Sequence, residues 1–159
     1  MKIWVAVKRV PDTAARIRPD ATGQGVDASD VKFVLNPYDE FAVEEALKLR
    51  EQAGEGEVNV ISVGPAESLP VLRQALAMGA DRAVRVDGSG SLDSLQLARA
   101  LAAVAAREEP DLVLSGKLAV DDECGQVPAM LAGLLGWPQA TQASSICLLY
   151  TSPSPRDRG

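Results

Sequence analysis

The sequence predicts an α/β fold, an open and mostly parallel sheet with helices on both faces. Three observations carry this expectation. Short apolar runs alternate with stretches whose apolar residues recur at helical spacing, in the order βαβαβαβα. The first run, Ile3 to Val7, is apolar at every position, as in a strand covered by helices on both sides. The links between runs carry turn and capping residues, and repeated right-handed crossovers of this kind build such a sheet.

Each element has its own signal. After Ile3–Val7 comes a polar excursion from Pro11 to about Asp30, with Pro19-Asp20 and Gly23-Gln24-Gly25, expected to fold as a hairpin or surface loop. Lys32 to Leu35 leads into Asn36-Pro37-Tyr38-Asp39-Glu40. Asn at an N-cap and Pro at the first helical position predict a helix start. Its inner stripe is Ala42, Ala46, Leu49 and Ala53 with Val43 and Leu47 beside it, and Glu44, Glu45, Lys48 and Glu51 fall on the wet side. Val58 to Val63 is the second strand, closed by Gly64-Pro65. Leu69, Leu72, Ala75 and Leu76 mark a second helix that stops at Gly79. Ala83 to Val86 is a third strand, and Gly88-Ser89-Gly90-Ser91 a loop. A third helix runs from about Asp93 to Arg107 on Leu97, Leu101 and Val104. Leu112 to Leu114 is the fourth strand. A loop through Asp121-Asp122-Glu123 opens a last helix with Val127, Met130, Leu131 and Leu134, ended by Gly136-Trp137-Pro138.

The chain has 159 residues, enough for one core, with 47% apolar and 24% charged residues, a globular balance. A net charge of −6 repels a phosphate backbone, which disfavours a nucleic-acid role. No apolar stretch approaches the roughly 20 residues that cross a bilayer, so membrane insertion is not expected. The opening residues read as a strand rather than a signal peptide, and the two cysteines show no CxxC spacing. A cytoplasmic location is expected, or the mitochondrial matrix in a eukaryote. Histidine is absent, which removes the usual general base and the commonest metal ligand, so a binding role gains weight over catalysis.

In open parallel sheets, ligands sit beyond the carboxyl ends of the strands where the strand order reverses. That rule selects the loops Arg9-Val10-Pro11, Gly64-Pro65 and Ser115 to Gln126, together with the helix start at Asn36. Other nucleotide motifs fail. Gly116-Lys117 lacks the earlier glycine and the following hydroxyl of a P-loop, and Gly88-Ser89-Gly90 is not continued as GxGxxG.

Four separated segments resemble electron-transfer flavoprotein β subunits in order and spacing. They are Val5 to Val10, Asn36 to Ala46, Ala75 to Arg82 and Gly116 to Gln126, and Gly136 to Thr141 extends the match. The resemblance covers about residues 1–143. It implies a Rossmann-like, adenine-nucleotide-binding sheet in which this subunit holds a structural AMP, while FAD sits mainly on the α subunit near the interface. The AMP-contacting positions carried over are Ala6, Asn36, Pro37, Tyr38, Asp39, Val63 and the run Gly116, Lys117, Leu118, Ala119, Val120, Asp121, Asp122, Glu123, Cys124, Gly125, Gln126 and Val127. These fall in the loops that the fold rule selects. The implied partners are the α subunit, acyl-CoA or related dehydrogenases, and a membrane quinone oxidoreductase. The implied role is that of an electron carrier without catalytic residues of its own.

Each residue also has a plainer reading. Asp121, Asp122 and Glu123 read first as helix caps, because carboxylates repel phosphate; a ribose contact or the fixing of a neighbouring loop stays open. Asn36-Pro37 reads as a structural cap, a role compatible with a nucleotide contact. Lys8 and Arg9 read as solvated strand-end charges, with FAD phosphates or the partner subunit as a second reading. Cys124 reads as a small packing residue, and Trp4 and Trp137 as core or interface anchors. Gly125 and Val127 depart from the Asn and Thr frequent in the family, which puts the phosphate contacts there in doubt. Two alternatives remain: a bifurcating-type β subunit with a second FAD in place of AMP, and a stand-alone stress-protein-like ATP or AMP module. Residues 1–143 are expected to form the domain, truncated relative to the family. Residues 144–159, ending Thr151-Ser152-Pro153-Ser154-Pro155, read as a disordered or foreign tail.

Overall fold

A computed structural model describes residues 1–25, 27, 29–88 and 92–146. The expected loop at Ser89 to Ser91 and the tail from Cys147 onward lie outside the described residues.

The four expected strands are β1 (Lys2–Ala6), β4 (Glu57–Gly64), β5 (Arg82–Asp87) and β6 (Leu112–Ser115), all parallel, in the spatial order β5-β4-β1-β6. They alternate with α1 (Pro37–Ala53), α2 (Leu69–Met78), α3 (Ser94–Glu108) and α4 (Val127–Leu135). The chain adds strands outward on one side of β1 and then crosses to its other side. The order therefore reverses between β1 and β6, and a crevice opens at their carboxyl ends.

The period-2 alternation of the strands divides the interior into two cores. Ile3, Val5 and Val7 point with Val58 and Val60 to one face, against Ala42, Val43, Ala46 and Leu49 of α1 and Val71, Leu72 and Ala75 of α2. Trp4 and Ile61 point to the other, against Ala98 and Leu101 of α3 and Leu131 of α4. Each such Val, Leu or Ile contributes about 1.5–3 kcal/mol of burial. Ala53, Leu69, Leu76 and Leu134, expected on inner faces, are instead exposed. All four lie in the first or last turn of a helix. Trp4 is a core residue as expected, 3% exposed.

The polar excursion closes as a hairpin. Arg9–Pro11 (β2) pairs antiparallel with Phe33–Leu35 (β3), with Arg9 opposite Leu35 and Pro11 opposite Phe33. Arg9-Val10-Pro11 is thus a strand rather than the expected loop. Leu35 anchors it in the core, and the Arg9 guanidinium lies 3.5 Å from the Phe33 ring centroid instead of standing free in solvent. α3 starts with a capping box, in which the Gln96 N–H donates to Asp93 Oδ1 at 2.7 Å and the Asp93 N–H to Gln96 Oε1 at 3.0 Å. The last described residue, Ile146, packs on the first core and donates its N–H to Glu45 Oε1 at 3.3 Å.

Candidate functional site

The crevice at the strand-order reversal holds about 710 Å³ with its solvent-filled mouth counted. Its floor is the carboxyl end of β1 (Ala6, Val7, Lys8) and of β6 (Ser115, Gly116). Ile61 and Val63 of β4 with Leu97 and Leu101 of α3 make an apolar wall. The loop from Leu118 to Gln126 and the first turn of α4 form the opposite side.

That loop is long and has no regular structure, so side chains hold it. Lys8 Nζ reaches Asp121 Oδ1 at 2.8 Å and Asp122 Oδ2 at 2.9 Å. Burial works to lower the Lys8 pKa, but these hydrogen bonds and charges outweigh it and hold the ammonium above its ordinary value. The other Asp122 oxygen accepts the Cys124 N–H at 3.0 Å. The acids therefore do not cap α4. They neutralise the strand-end lysine, which is accordingly not a free solvated charge. α4 has Gln126 at its N-cap with no side-chain bond, and Pro128 in its first turn. The N–H groups of Val127 and Ala129 are left without an intrahelical partner, at the positive end of the helix and at the edge of the crevice. Gly125 turns into this start with φ of +58°, a conformation suited to glycine. A Cβ there would stand 3.3 Å from the Lys117 carbonyl oxygen.

The first turn of α1 closes the back. Asp39 is 6% exposed, and its carboxylate accepts the Lys8 N–H at 2.8 Å and the Gly116 N–H at 3.0 Å. Burial pushes its pKa up to about 6 even though both donors favour the ionised form. Gly116 packs so close that a Cβ would collide with the Asp39 carboxylate and come within 2.7 Å of Tyr38. Asn36, 1% exposed, occupies the N-cap position but makes no side-chain cap bond. Its Nδ2 instead donates to the Leu118 carbonyl at 2.9 Å, and its Oδ1 accepts the Val120 N–H at 3.3 Å.

Of the residues singled out from the sequence, Ala6, Asp39, Val63, Gly116, Leu118, Ala119, Asp122, Cys124, Gly125, Gln126 and Val127 line the crevice. Asn36, Pro37, Tyr38, Lys117, Val120, Asp121 and Glu123 stand behind it or on its outer surface. Sequence reasoning missed the α3 wall and Ile61. The signals were there: Ile61 lies two residues before Val63 on the same strand face, and the Asp93–Gln96 box fixes where Ser94 and Leu97 fall.

Comparison with known sequences bears directly on this arrangement. The model of the electron transfer flavoprotein domain matches residues 25–148. The chain belongs to the electron transfer flavoprotein family. Within that family its relatives are β subunits. The mitochondrial β subunit of Oryza sativa subsp. japonica is 54% identical over 154 residues, covering 93% of this chain and 60% of that one. The human β subunit is 48% identical over 154 residues, with 93% and 60% covered. That of Bradyrhizobium diazoefficiens is 47% identical over 146 residues, with 92% and 59% covered. The chain thus spans about three fifths of the length of the curated relatives it matches. Among solved structures, protein Rv1636 from Mycobacterium tuberculosis H37Rv aligns at 17% identity and a TM-score of 0.44 over 95% of each chain, a likeness too distant to carry an argument. Among the described residues no helix is long and apolar enough to cross a membrane.

Proposed function

We propose that this chain is the nucleotide-holding part of an electron-transfer flavoprotein β subunit, with AMP as a structural ligand in the crevice between β1 and β6. The observation that carries the reading is the coincidence of three features at one place. The strand order reverses there, an apolar wall of Ile61, Val63, Leu97 and Leu101 faces the opening, and the uncapped start of α4 borders it. The chemistry fits a mononucleotide. An adenine is flat and apolar on its faces and matches the aliphatic wall, while a phosphate is drawn to unpaired N–H groups at a helix N-terminus. The acids at the mouth are turned onto Lys8 and the Cys124 N–H, which lessens their repulsion of an anion. Gly125 and Val127 offer no side-chain hydrogen bond, so backbone N–H groups carry the anion contact.

On this reading the chain is an electron-carrier subunit rather than an enzyme. FAD is housed with the α subunit and supplies the electron-accepting chemistry when bound. Electrons arrive from acyl-CoA or related dehydrogenases and leave to a membrane quinone oxidoreductase, in the cytoplasm or the mitochondrial matrix. The direct test is to heat-denature the purified full chain and identify the released nucleotide by chromatography and absorbance. AMP is the expected result. FAD in its place would favour a bifurcating-type subunit, and a protein that is empty and ignores added AMP would remove the nucleotide role.

A further inference from the structure

The two outer strands of the sheet are finished differently. β5 closes one side with charged groups: Arg82 pairs with Glu108 at 2.8 Å, and Arg85 donates to the Gly64 carbonyl at 2.9 Å and pairs with Asp87 at 2.7 Å. Charges of this kind blunt an edge against pairing with another chain. β6 closes the other side with Leu112-Val113-Leu114-Ser115, which carries no charge, and among the described residues no strand pairs with its outer edge. The helix that follows β6 is just as bare. From Val127 to Pro138 no residue is charged, yet only Leu131 of α4 is buried. A helix apolar on all sides belongs in an interior, but Leu134 is 47% exposed and Trp137 37%. The cover between α3 and α4 is incomplete as well. An apolar groove of about 270 Å³, its mouth counted, opens there between Leu101, Val104, Val113 and Leu131.

We propose that a second copy of this chain covers this flank, by antiparallel pairing of β6 with β6 of the copy about a two-fold axis. Charge argues for a like partner. The chain carries a net charge of −6, so two copies repel over most of their surface, and the uncharged flank of β6 and α4 is where they approach at least electrostatic cost. Self-pairing through β5 would instead set Arg82 and Arg85 of one copy near those of the other, and like charges across a ladder are unfavourable. A two-fold axis perpendicular to the sheet joins two four-stranded sheets into one. It also puts both α4 helices on the same face, side by side, so that Leu134 and Trp137 of each lie against α4 of the other. Both edges are then protected, β5 by charge and β6 by pairing. The dimer does not depend on what the crevice binds.

The test is light scattering after gel filtration of the full chain, from micromolar to millimolar concentration. The mass should rise with concentration toward twice the 16.7 kDa of one chain. Over the same range the β6 amides should exchange more slowly, while those of β5 stay unchanged. Leu134→Lys combined with Trp137→Lys, both at exposed positions, should weaken the dimer at least tenfold even though the change reduces the net negative charge. Leu76→Lys, at a similarly exposed position on α2, should leave it within twofold of the wild type. A monomer at every concentration would overturn the proposal. If that monomer binds added α subunit and the double variant does not, the flank belongs to the α subunit instead. A dimer that the double variant leaves intact, or whose β6 amides exchange alike at every concentration, would also overturn it.

Discussion

The two rims of the sheet are each tied by an aspartate that accepts a strand-end N–H, and the two are held very differently. At the amino rim Asp81 accepts the Val58 N–H at 2.8 Å and the Arg50 guanidinium at 2.8 Å, with its side chain 46% exposed. Its pKa is lowered, first by the Val58 hydrogen bond and then by Arg50 against a modest burial penalty. At the carboxyl rim Asp39 accepts two N–H groups, is 6% exposed, and has no ion-pair partner among the described residues. Burial there wins and its pKa rises to about 6. The amino rim is otherwise closed by short turns and exposed pairs, such as the Lys2 N–H to Asp111 at 2.6 Å and Arg82 to Glu108 at 2.8 Å. At one rim the tying carboxylate is favourably ionised. The other holds a buried charge at a cost, and that is the rim with the crevice.

The largest effect expected from breaking this contrast is at Gly116. Gly116→Ala drives a methyl into the Asp39 carboxylate and the Tyr38 backbone, displacing the charge-assisted bond from the Gly116 N–H to Asp39. A loss of roughly 3–4 kcal/mol is expected in urea unfolding, from overpacking combined with that bond. A variant as stable as the wild type would mean the two strand exits are not held together there.

Next in size is a pH effect. An acid whose folded pKa lies above its unfolded value favours the protonated fold, so its contribution is fully present below about pH 4 and is lost as pH rises through about 6. A shift of about two units at 1.36 kcal/mol each is about 2.7 kcal/mol in all, of which about 2 kcal/mol is lost between pH 4.5 and pH 7. Asp81 and Asp122, with lowered pKa values, work in the opposite sense at lower pH. The quantity to measure is therefore the difference between wild type and Asp39→Asn, which should shrink in favour of the variant as pH rises. A difference independent of pH would show that Asp39 ionises normally.

Smaller effects belong to the exposed groups. Asp81→Asn should cost about 1 kcal/mol, since the amide oxygen still accepts the Val58 N–H but without the carboxylate's charge, and high salt should erase only the Arg50 share. Lys8→Met should cost less than about 1 kcal/mol of global stability because the pair is about one third exposed. It should nonetheless free the Asp121–Asp122 loop, visible as faster exchange of the Cys124 amide. A large global loss on Lys8→Met with none on Asp81→Asn would reverse the contrast between the rims.

What the sequence makes legible follows from how local each signal is. The strands and helices are set by apolar periodicity within about ten residues, and Ile3 to Val7, Val58 to Val63 and the Asn36-Pro37 start fall where they are expected. The hairpin was open between two forms because its pairing depends on Leu35 reaching the core, which no local pattern records. The site was legible in location, through the rule about strand ends, and less so in the duties of its residues. Asn36 has the sequence of a cap and the structure of a tie across 84 positions. Asp39 has the sequence of a helix-start acid and the structure of a buried bridge. Asp121 and Asp122 look like caps of α4 until Lys8, more than a hundred residues earlier, is brought beside them. In each case a non-local partner outbids the local one, and only the fold supplies it.

The most direct test of the central claim, that the carboxyl rim is the ligand-holding side, is an amide chemical-shift titration of the full-length chain with AMP. The account predicts shifts concentrated at Ala6, Lys8, Val63, Gly116 and the Cys124 to Ala129 segment, with Glu57, Asp81 and Asp111 at the amino rim unmoved. Shifts centred on the amino rim, or none at saturating AMP, would contradict it.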